Sequence, residues 1–246
     1  MPMRFDMPTR HLSNQPTALL AYANVWKGAI VCVALGGLIW FTNQWQQFVV
    51  GLLVLIALFY AAQWLLKTSI VAYTLTATHF QQHFYKGGWV LKWRNISKID
   101  ICQCQHEGWY QPLPWVGIRL KDYSPYLDSI CPRITTEILL SQRPLLYVGL
   151  QQQHKTTQFE EMVLDPKPYR AADGKQYTGL QAMLANRMHY QRQLFGYDVF
   201  ISTNDLDRPP DEFVGLMRRY LAASQEVEHA PIASKERCTD RESDRD

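Results

Sequence analysis

Residues 47–66 read QFVVGLLVLIALFYAAQWLL, and no charged side chain occurs between Lys27 and Lys67. A helix needs about 20 mostly apolar residues to cross the hydrocarbon core of a bilayer. This run supplies them, and its centre, residues 49–59, is apolar throughout. We therefore predict a membrane-spanning helix at residues 47–66.

A second, shorter apolar run precedes this helix. Residues 28–42 would span about 22 Å as a helix, which is less than the hydrocarbon core of about 30 Å. The run can extend backward past Lys27 if that side chain snorkels to the interface. We predict a first span at about residues 24–42, so that residues 23–67 form a transmembrane hairpin preceded by an N-terminal segment, residues 1–22.

Tryptophans lie at both ends of the two predicted helices. Indole rings prefer the headgroup level of a bilayer. The predicted interface anchors are Trp26, Trp40, Trp45 and Trp64. A signal peptide would begin its apolar core earlier in the chain, whereas a buried helical hairpin of a soluble protein stays open as an alternative.

Lysine and arginine occur on both flanks of the hairpin, and the loop between its helices carries no charge. The positive-inside rule then places both termini in the cytoplasm. The five cysteines are odd in number and form no disulfide framework, which favours a reducing compartment. A net charge of +3 does not indicate a nucleic-acid partner.

After the hairpin, residues 70–222 show short alternating runs typical of strands, followed by two helical patterns. Lys86-Gly87-Gly88 indicates a hairpin turn, and a break is expected at residues 108–114. The predicted strands are 73–76, 80–85, 89–93, 96–104, 116–120, 145–150, 158–164 and 198–202. The predicted helices are 180–194, ending at Gly196, and a closing helix that opens at Pro209. Residues 121–144 are expected to be irregular, and residues 223–246 to form a disordered charged tail.

This order of elements indicates an α+β class, with a mainly antiparallel β domain closed by a C-terminal helix. The runs Tyr73-Thr-Leu-Thr, Lys86-Gly-Gly and Leu91 to Ile99 resemble the opening strands of bacterial pleckstrin-homology-like domains. That resemblance implies a curved antiparallel sheet, with residues 209–222 supplying the closing helix. Such domains often follow a pair of membrane spans.

The whole chain also resembles an uncharacterised family of two-span membrane proteins from gamma-proteobacteria, a domain of unknown function. Leu184-Ala-Asn-Arg-Met188 and Arg208-Pro-Pro-Asp-Glu-Phe213 carry this likeness. It implies the bacterial inner membrane as location, and it carries over no catalytic residue.

Neither a metal site nor a catalytic site is predicted. His79 and His83 would lie about 13 Å apart on a strand, and Cys102 and Cys104 about 6.6 Å apart. Both separations suit a shared zinc ion poorly. The sequence has no phosphate-binding loop and no nucleophile elbow. We therefore expect no metal, no cofactor and no catalytic residue.

Four basic residues follow the second predicted span: Lys86, Lys92, Arg94 and Lys98. Near an anionic leaflet each such charge contributes about 1 kcal/mol, so these residues are predicted to contact lipid headgroups. A solvated sheet face is the alternative. An aromatic group within residues 109–126 is expected to pack in the core, with a ligand or partner surface as the alternative; its members are Trp109, Tyr110, Trp115, Tyr123 and Tyr126.

The sequence therefore predicts a membrane-anchored cytoplasmic binding or scaffold module, whose sheet contacts lipid headgroups or a partner protein. An unrecognised membrane-associated hydrolase or transferase is the main alternative. An accessory subunit of a membrane complex is another.

Overall fold

The computed structural model describes residues 7–14, 45–68, 71–85, 87–106 and 109–229. The predicted first span, with Trp26 and Trp40, lies outside the described residues. So does Lys86, and so do residues 230–246 of the predicted tail.

Helix α1 (Trp45–Thr68) contains the long apolar run. Its segment Trp45–Leu65 has a mean hydropathy of 2.3, and none of it is buried. Among the described residues this is the one helix that is long and apolar enough to cross a membrane. Trp45 is 78% exposed and Trp64 is 60% exposed, at the two ends of this segment.

A four-stranded antiparallel sheet follows, in the order β1-β2-β3-β4. The strands are β1 (Arg10–Ser13), β2 (Val71–Leu75), β3 (His79–Phe84) and β4 (Gly87–Lys92). Strand β1 precedes α1 in the chain yet pairs with β2, with Ser13 opposite Ala72. The sequence predicts β2 to β4 but not β1.

A second antiparallel sheet has the order β5-β6-β9. Strand β5 (Ile96–His106) and strand β6 (Trp109–Leu120) form a long hairpin, and β9 (Val199–Ser202) pairs with residues 115–118 of β6. The predicted break at residues 108–114 is wrong for the part from Trp109 onward. Pro112 and Pro114 fit into β6 because they lie outside the stretch paired with β9, beside a register shift in the ladder to β5.

Most of the chain between β6 and β9 is helical. It contains α2 (Ser124–Ser129), α3 (Pro132–Ser141), α4 (Arg143–Gln152), α5 (Phe159–Val163), a small hairpin of β7 (Tyr169–Arg170) and β8 (Gln176–Tyr177), and α6 (Gly179–Phe195). The predicted strands at 145–150 and 158–164 are therefore wrong, as is the irregular stretch 121–144. Prolines begin α2, α3 and α4, where a missing N–H costs nothing.

The last elements agree more closely with the sequence patterns. Helix α6 ends at Gly196, whose φ of 80° is the left-handed conformation that a glycine cap provides. Strand β9 and helix α7 (Pro210–His229) follow. Helix α7 extends about two turns beyond the predicted end at residue 222, so the beginning of the predicted tail is helical.

The two large sheets and α7 share one hydrophobic core. The Phe213 ring lies 5.6 Å from that of Tyr73, and Tyr220 stacks on Trp93 with the centroids 5.8 Å apart. Helix α7 therefore closes the domain, and the α+β class with antiparallel sheets and a C-terminal helix is confirmed.

Candidate functional site

The basic residues predicted to act together lie in different parts of the fold. Lys92 ends β4, and Arg94 follows in a 3-10 turn. Lys98 lies on β5 in the other sheet, 3.8 Å from the carboxylate of Asp100 and over the ring of Tyr197. Of the three described residues, only Lys92 and Arg94 share a surface.

That surface is a groove of about 560 Å³ beside the end of α7, which we call the basic groove. Its lining residues are Ala77, Thr78, His79, Val90, Lys92, Trp93, Arg94 and Ser224. No lining residue among those described is acidic. The floor is rigid, because Trp93 donates its indole N–H to the carbonyl of Thr76 at 2.8 Å and stacks on Tyr220.

The histidines and cysteines that suggested a metal site have other partners. His79 Nδ1 lies 3.0 Å from Thr76 Oγ1, and His83 Nε2 lies 3.1 Å from Thr74 Oγ1. Burial, followed by the neighbouring Cys104, raises the pKa of the Cys102 thiol to about 12, so it stays protonated. Among the described residues no three His, Cys, Asp or Glu side chains are close enough to hold a metal ion.

The aromatic group at residues 109–126 is divided between core and surface. Tyr123 and Tyr126 are buried. Trp109 is 78% exposed and Tyr110 is 70% exposed at the beginning of β6. Trp115 is half-buried and lines a cavity between the two sheets.

This cavity, which we call the inter-sheet cleft, has a volume of about 540 Å³. The first sheet contributes Gln82, Phe84 and Trp89, and the second contributes Trp115 and Phe200. Helix α3 closes another side with Ile138 and Leu140. Ligand pockets in proteins are commonly of this size and character, mostly apolar with a few polar groups.

Most of the polar side chains in the cleft wall bond to neighbours. Gln82 donates to the hydroxyl of Tyr73 at 3.1 Å, and Gln142 donates to the carbonyl of Phe200 at 3.3 Å. Ser141 donates to the carbonyl of Ile138, and the hydroxyl of Ser202 accepts from the amide of Asn204. These groups fix the wall rather than offering free hydrogen bonds.

Asp205 is the exception in this wall. It lies in the 3-10 turn between β9 and α7, and burial raises the pKa of its carboxyl group above the ordinary value. No hydrogen bond or ion pair from a described residue reaches its carboxylate. Glu137 is a second acid in the wall, and no described lining residue is Lys, Arg or His.

Sequence reasoning does not find this cleft. Its residues come from positions 82 to 205 and meet only because α3 and β9 pack beside the first sheet. Asp205 stands in no motif, and residues 121–144 are predicted to be irregular although they contain α3. The cleft's lining suits binding, with aromatic faces and negative charge, and the hydroxyls of Ser141 and Ser202 have no basic partner among the described residues.

One family model matches the chain. It is described as "Protein of unknown function (DUF2982)" and covers residues 73–223, which is more than half of the 246 residues. The match extends from β2 into α7 and includes the inter-sheet cleft and every described lining residue of the basic groove except Ser224. No curated protein and no solved structure matches the chain.

Proposed function

We propose that this chain, which belongs to the DUF2982 family, is a binding module anchored at the cytoplasmic face of the bacterial inner membrane. A transmembrane hairpin with spans at 24–42 and 47–66 would hold it there. The observation that carries the proposal is the pairing of β1 with β2 across the apolar helix α1.

The pairing constrains how the chain can cross a membrane. The chain leaves the first sheet at Asn14 and returns to it at Val71, and the Asn14 amide donates to the Val71 carbonyl at 3.2 Å. Both flanks of the intervening segment therefore lie on one side of any bilayer that α1 crosses. The number of crossings must then be even, which supports a second span at residues 24–42 beside α1.

The domain that this hairpin would anchor fits the resemblance to pleckstrin-homology-like domains. Seven strands form two antiparallel sheets, and α7 packs against the core that the sheets share. The helical insertion between β6 and β9 is the main addition to that plan. This architecture supports a scaffold that presents binding surfaces.

We further propose that the basic groove binds an acidic segment of a protein partner. Lys92 and Arg94 supply two positive charges, and the groove has no described acid to oppose an anionic ligand. Lys92 lies five residues along β4 from Gly87, or about 17 Å. Gly87 belongs to the end of the sheet where β2 begins, and β2 begins within about 11 Å of the end of α1.

The groove is thus at the end of the sheet away from the anchor. Attraction between exposed charges falls off over about 8 Å at physiological ionic strength, so lipid headgroups would attract Lys92 and Arg94 weakly in an arrangement where β4 runs away from the bilayer. This favours a protein partner over the bilayer for these two residues. The headgroup contact predicted for Lys86 stays a prediction, because that residue lies outside the described part of the chain.

The groove can be tested by titrating a fluorescent oligoglutamate peptide into the full chain held in a neutral-lipid nanodisc. We expect the double variant Lys92→Glu, Arg94→Glu to bind the peptide roughly tenfold or more weakly, because charge pairs across a binding site are reversed. The matched control Lys121→Glu, Arg133→Glu makes the same charge change on exposed residues outside the groove. Equal weakening in both variants would assign the binding to net charge and refute the groove.

A second titration separates a peptide from a lipid surface. Nanodiscs containing anionic lipid should compete little with the peptide if the groove faces away from the bilayer. Strong competition that the Lys92→Glu, Arg94→Glu variant abolishes would instead assign these residues to headgroups.

A further inference from the structure

The inter-sheet cleft is the feature that the proposed function leaves without a role. It does not overlap the basic groove, and its chemistry is the opposite, because its charged wall residues are Asp205 and Glu137. The kind of ligand that the cleft binds must therefore be inferred from the charged and aromatic side chains that line it.

Charge limits the kinds of occupant. A phosphate or carboxylate would meet the Asp205 carboxylate, and no described Lys, Arg or His lines the wall to balance the added negative charge. A neutral apolar molecule would leave the half-buried Asp205 carboxylate without a partner. Burying an unpaired charge costs free energy, so a ligand that brings a positive charge is the complementary one.

The aromatic rings narrow the kind of cation. Phe84, Trp89, Trp115 and Phe200 all line the cleft. The face of an aromatic ring attracts a cation, and several rings around one carboxylate are the usual recognition elements for ammonium groups carrying carbon substituents. A hydrated metal ion would instead need several oxygen ligands, and the side-chain oxygen of Gln142 already accepts a hydrogen bond from Gln191.

From this combination we propose that the inter-sheet cleft is a binding site for a small soluble organic cation, one with a substituted ammonium group and an apolar body. Asp205 pairs with the ammonium group, and the rings of Phe84, Trp115 and Phe200 surround it. This site goes beyond the proposed membrane-anchored module and does not depend on the anchor.

A free cation fits the cleft better than the headgroup of a zwitterionic lipid. Such a headgroup carries a phosphate a few bonds from its ammonium nitrogen, and that phosphate would be brought toward Asp205 and Glu137. The soluble cation choline should accordingly bind more tightly than phosphocholine, which carries both charges.

Calorimetric titration of the full chain in a maltoside detergent tests the site without a competing ammonium headgroup. The probes are choline, its uncharged carbon isostere dimethylbutanol, and phosphocholine. We expect choline to bind roughly tenfold more tightly than the isostere, since cation–π attraction and the carboxylate both act on the charge. Equal binding of the two, or tighter binding of phosphocholine, would overturn the proposal.

Substitutions of residues in the cleft wall test whether choline binds in the inter-sheet cleft. Asp205→Asn keeps the shape and removes the charge, so choline binding should fall roughly tenfold while binding of the isostere is unchanged. Trp115→Leu should weaken choline several-fold, and Trp115→Phe should retain most of the affinity because a ring remains. Glu160→Gln removes an exposed acid outside the cleft and serves as the matched control.

Unfolding temperatures of the variants are measured beside each titration. Asp205→Asn should unfold at the wild-type temperature or above, because its carboxyl group has no described partner to lose. Full choline affinity in the folded Asp205→Asn variant would overturn the site, as would an equal loss in Glu160→Gln.

Discussion

Arg187 and Arg192 lie one and a half turns apart on α6 but have opposite surroundings. Arg192 pairs with the buried carboxylate of Asp198, which also accepts hydrogen bonds from the Tyr123 hydroxyl at 2.6 Å and the Leu120 amide at 2.8 Å. The hydrogen bond that Arg192 donates to Asp198 raises the pKa of Arg192 above its ordinary value. The network fixes α6 to β6 and to the start of β9, which positions one wall of the inter-sheet cleft.

Arg187 is only 1% exposed and has no comparable partner. It donates one bond to the Val163 carbonyl, while its Nε and Nη1 atoms meet no acceptor in the described part of the chain. Burial, followed by the nearby Arg143, lowers the pKa of Arg187 to about 10. The guanidinium is charged in both the folded and the unfolded state at pH 7, so its burial destabilises the fold there.

The variant Arg187→Met should therefore be more stable than the wild type. Replacing an unpaired buried charge by an apolar side chain of similar length should raise the free energy of unfolding by about 1–3 kcal/mol. Urea titration of the full chain in detergent at pH 7 measures this, with the exposed Arg133→Met as control. A clear loss of stability in Arg187→Met would show that the guanidinium has an acceptor that this account lacks.

Strand β1 is the element with the largest consequence for topology. Leu12 adds to the core, and the Tyr220 hydroxyl on α7 donates to the Pro8 carbonyl just before the strand at 2.6 Å. The strand also covers the edge of β2, which would otherwise present unpaired backbone groups. A fragment that begins at β2 would lose this strand, so the full chain is the proper material for binding experiments.

Cross-linking can test the pairing of β1 with β2 in membranes. Ser13 and Ala72 are directly opposite one another, so the double variant Ser13→Cys, Ala72→Cys should form a disulfide when isolated membranes are oxidised. The control pair Leu12→Cys, Ala72→Cys places the thiols on opposite faces of the sheet and should stay reduced. A cross-link in both pairs, or in neither, measured by mass spectrometry of the linked peptides, would contradict this register.

The sequence predicts an element well when a local residue pattern determines its secondary structure, and poorly when packing against other elements determines it. Strands β2 to β4 and helix α6 follow from alternation, a glycine turn and a glycine cap, all of which are local. Residues 145–150 look like a strand because they are short and apolar. They form a helix because Pro144 begins a turn and the buried side chains of Leu146 and Leu150 pack against α5 and α6.

Two glycines test how tightly the elements are packed. A Cβ at Gly215, within α7, would meet no atom within 4 Å, whereas one at Gly117 on β6 would lie 2.5 Å from the ring of Tyr197. Gly215→Ala should stabilise the protein by about 0.5–1 kcal/mol through helix propensity. Gly117→Ala should destabilise it by about 1–3 kcal/mol through overpacking. Urea titration of both variants measures their free energies of unfolding. If Gly117→Ala were more stable than Gly215→Ala, the close contact between Gly117 and the Tyr197 ring would be contradicted.

At the scale of the whole molecule, the described residues form an exposed apolar helix and an α+β domain that contains the basic groove and the inter-sheet cleft. The sequence predicts the apolar helix because the length and the apolar composition of the run are sufficient to identify it. The sequence groups Lys92 with Lys98 because they are near in the chain, whereas the structure places them on different sheets; their predicted contact with lipid headgroups stays a prediction. It does not find the inter-sheet cleft, because that cavity depends on how the helical insertion packs.

We propose that the residues flanking the apolar segment lie together on the cytoplasmic side, with a loop near residue 44 on the other side of the membrane. The most direct measurement is labelling of introduced cysteines in intact cells by a membrane-impermeant maleimide, resolved by peptide mass spectrometry. This topology predicts that Gln44→Cys is labelled in intact cells, and that Thr9→Cys and Glu212→Cys are labelled only after permeabilisation. Labelling of Thr9→Cys and Glu212→Cys on opposite sides, or of Gln44→Cys only after permeabilisation, would contradict it.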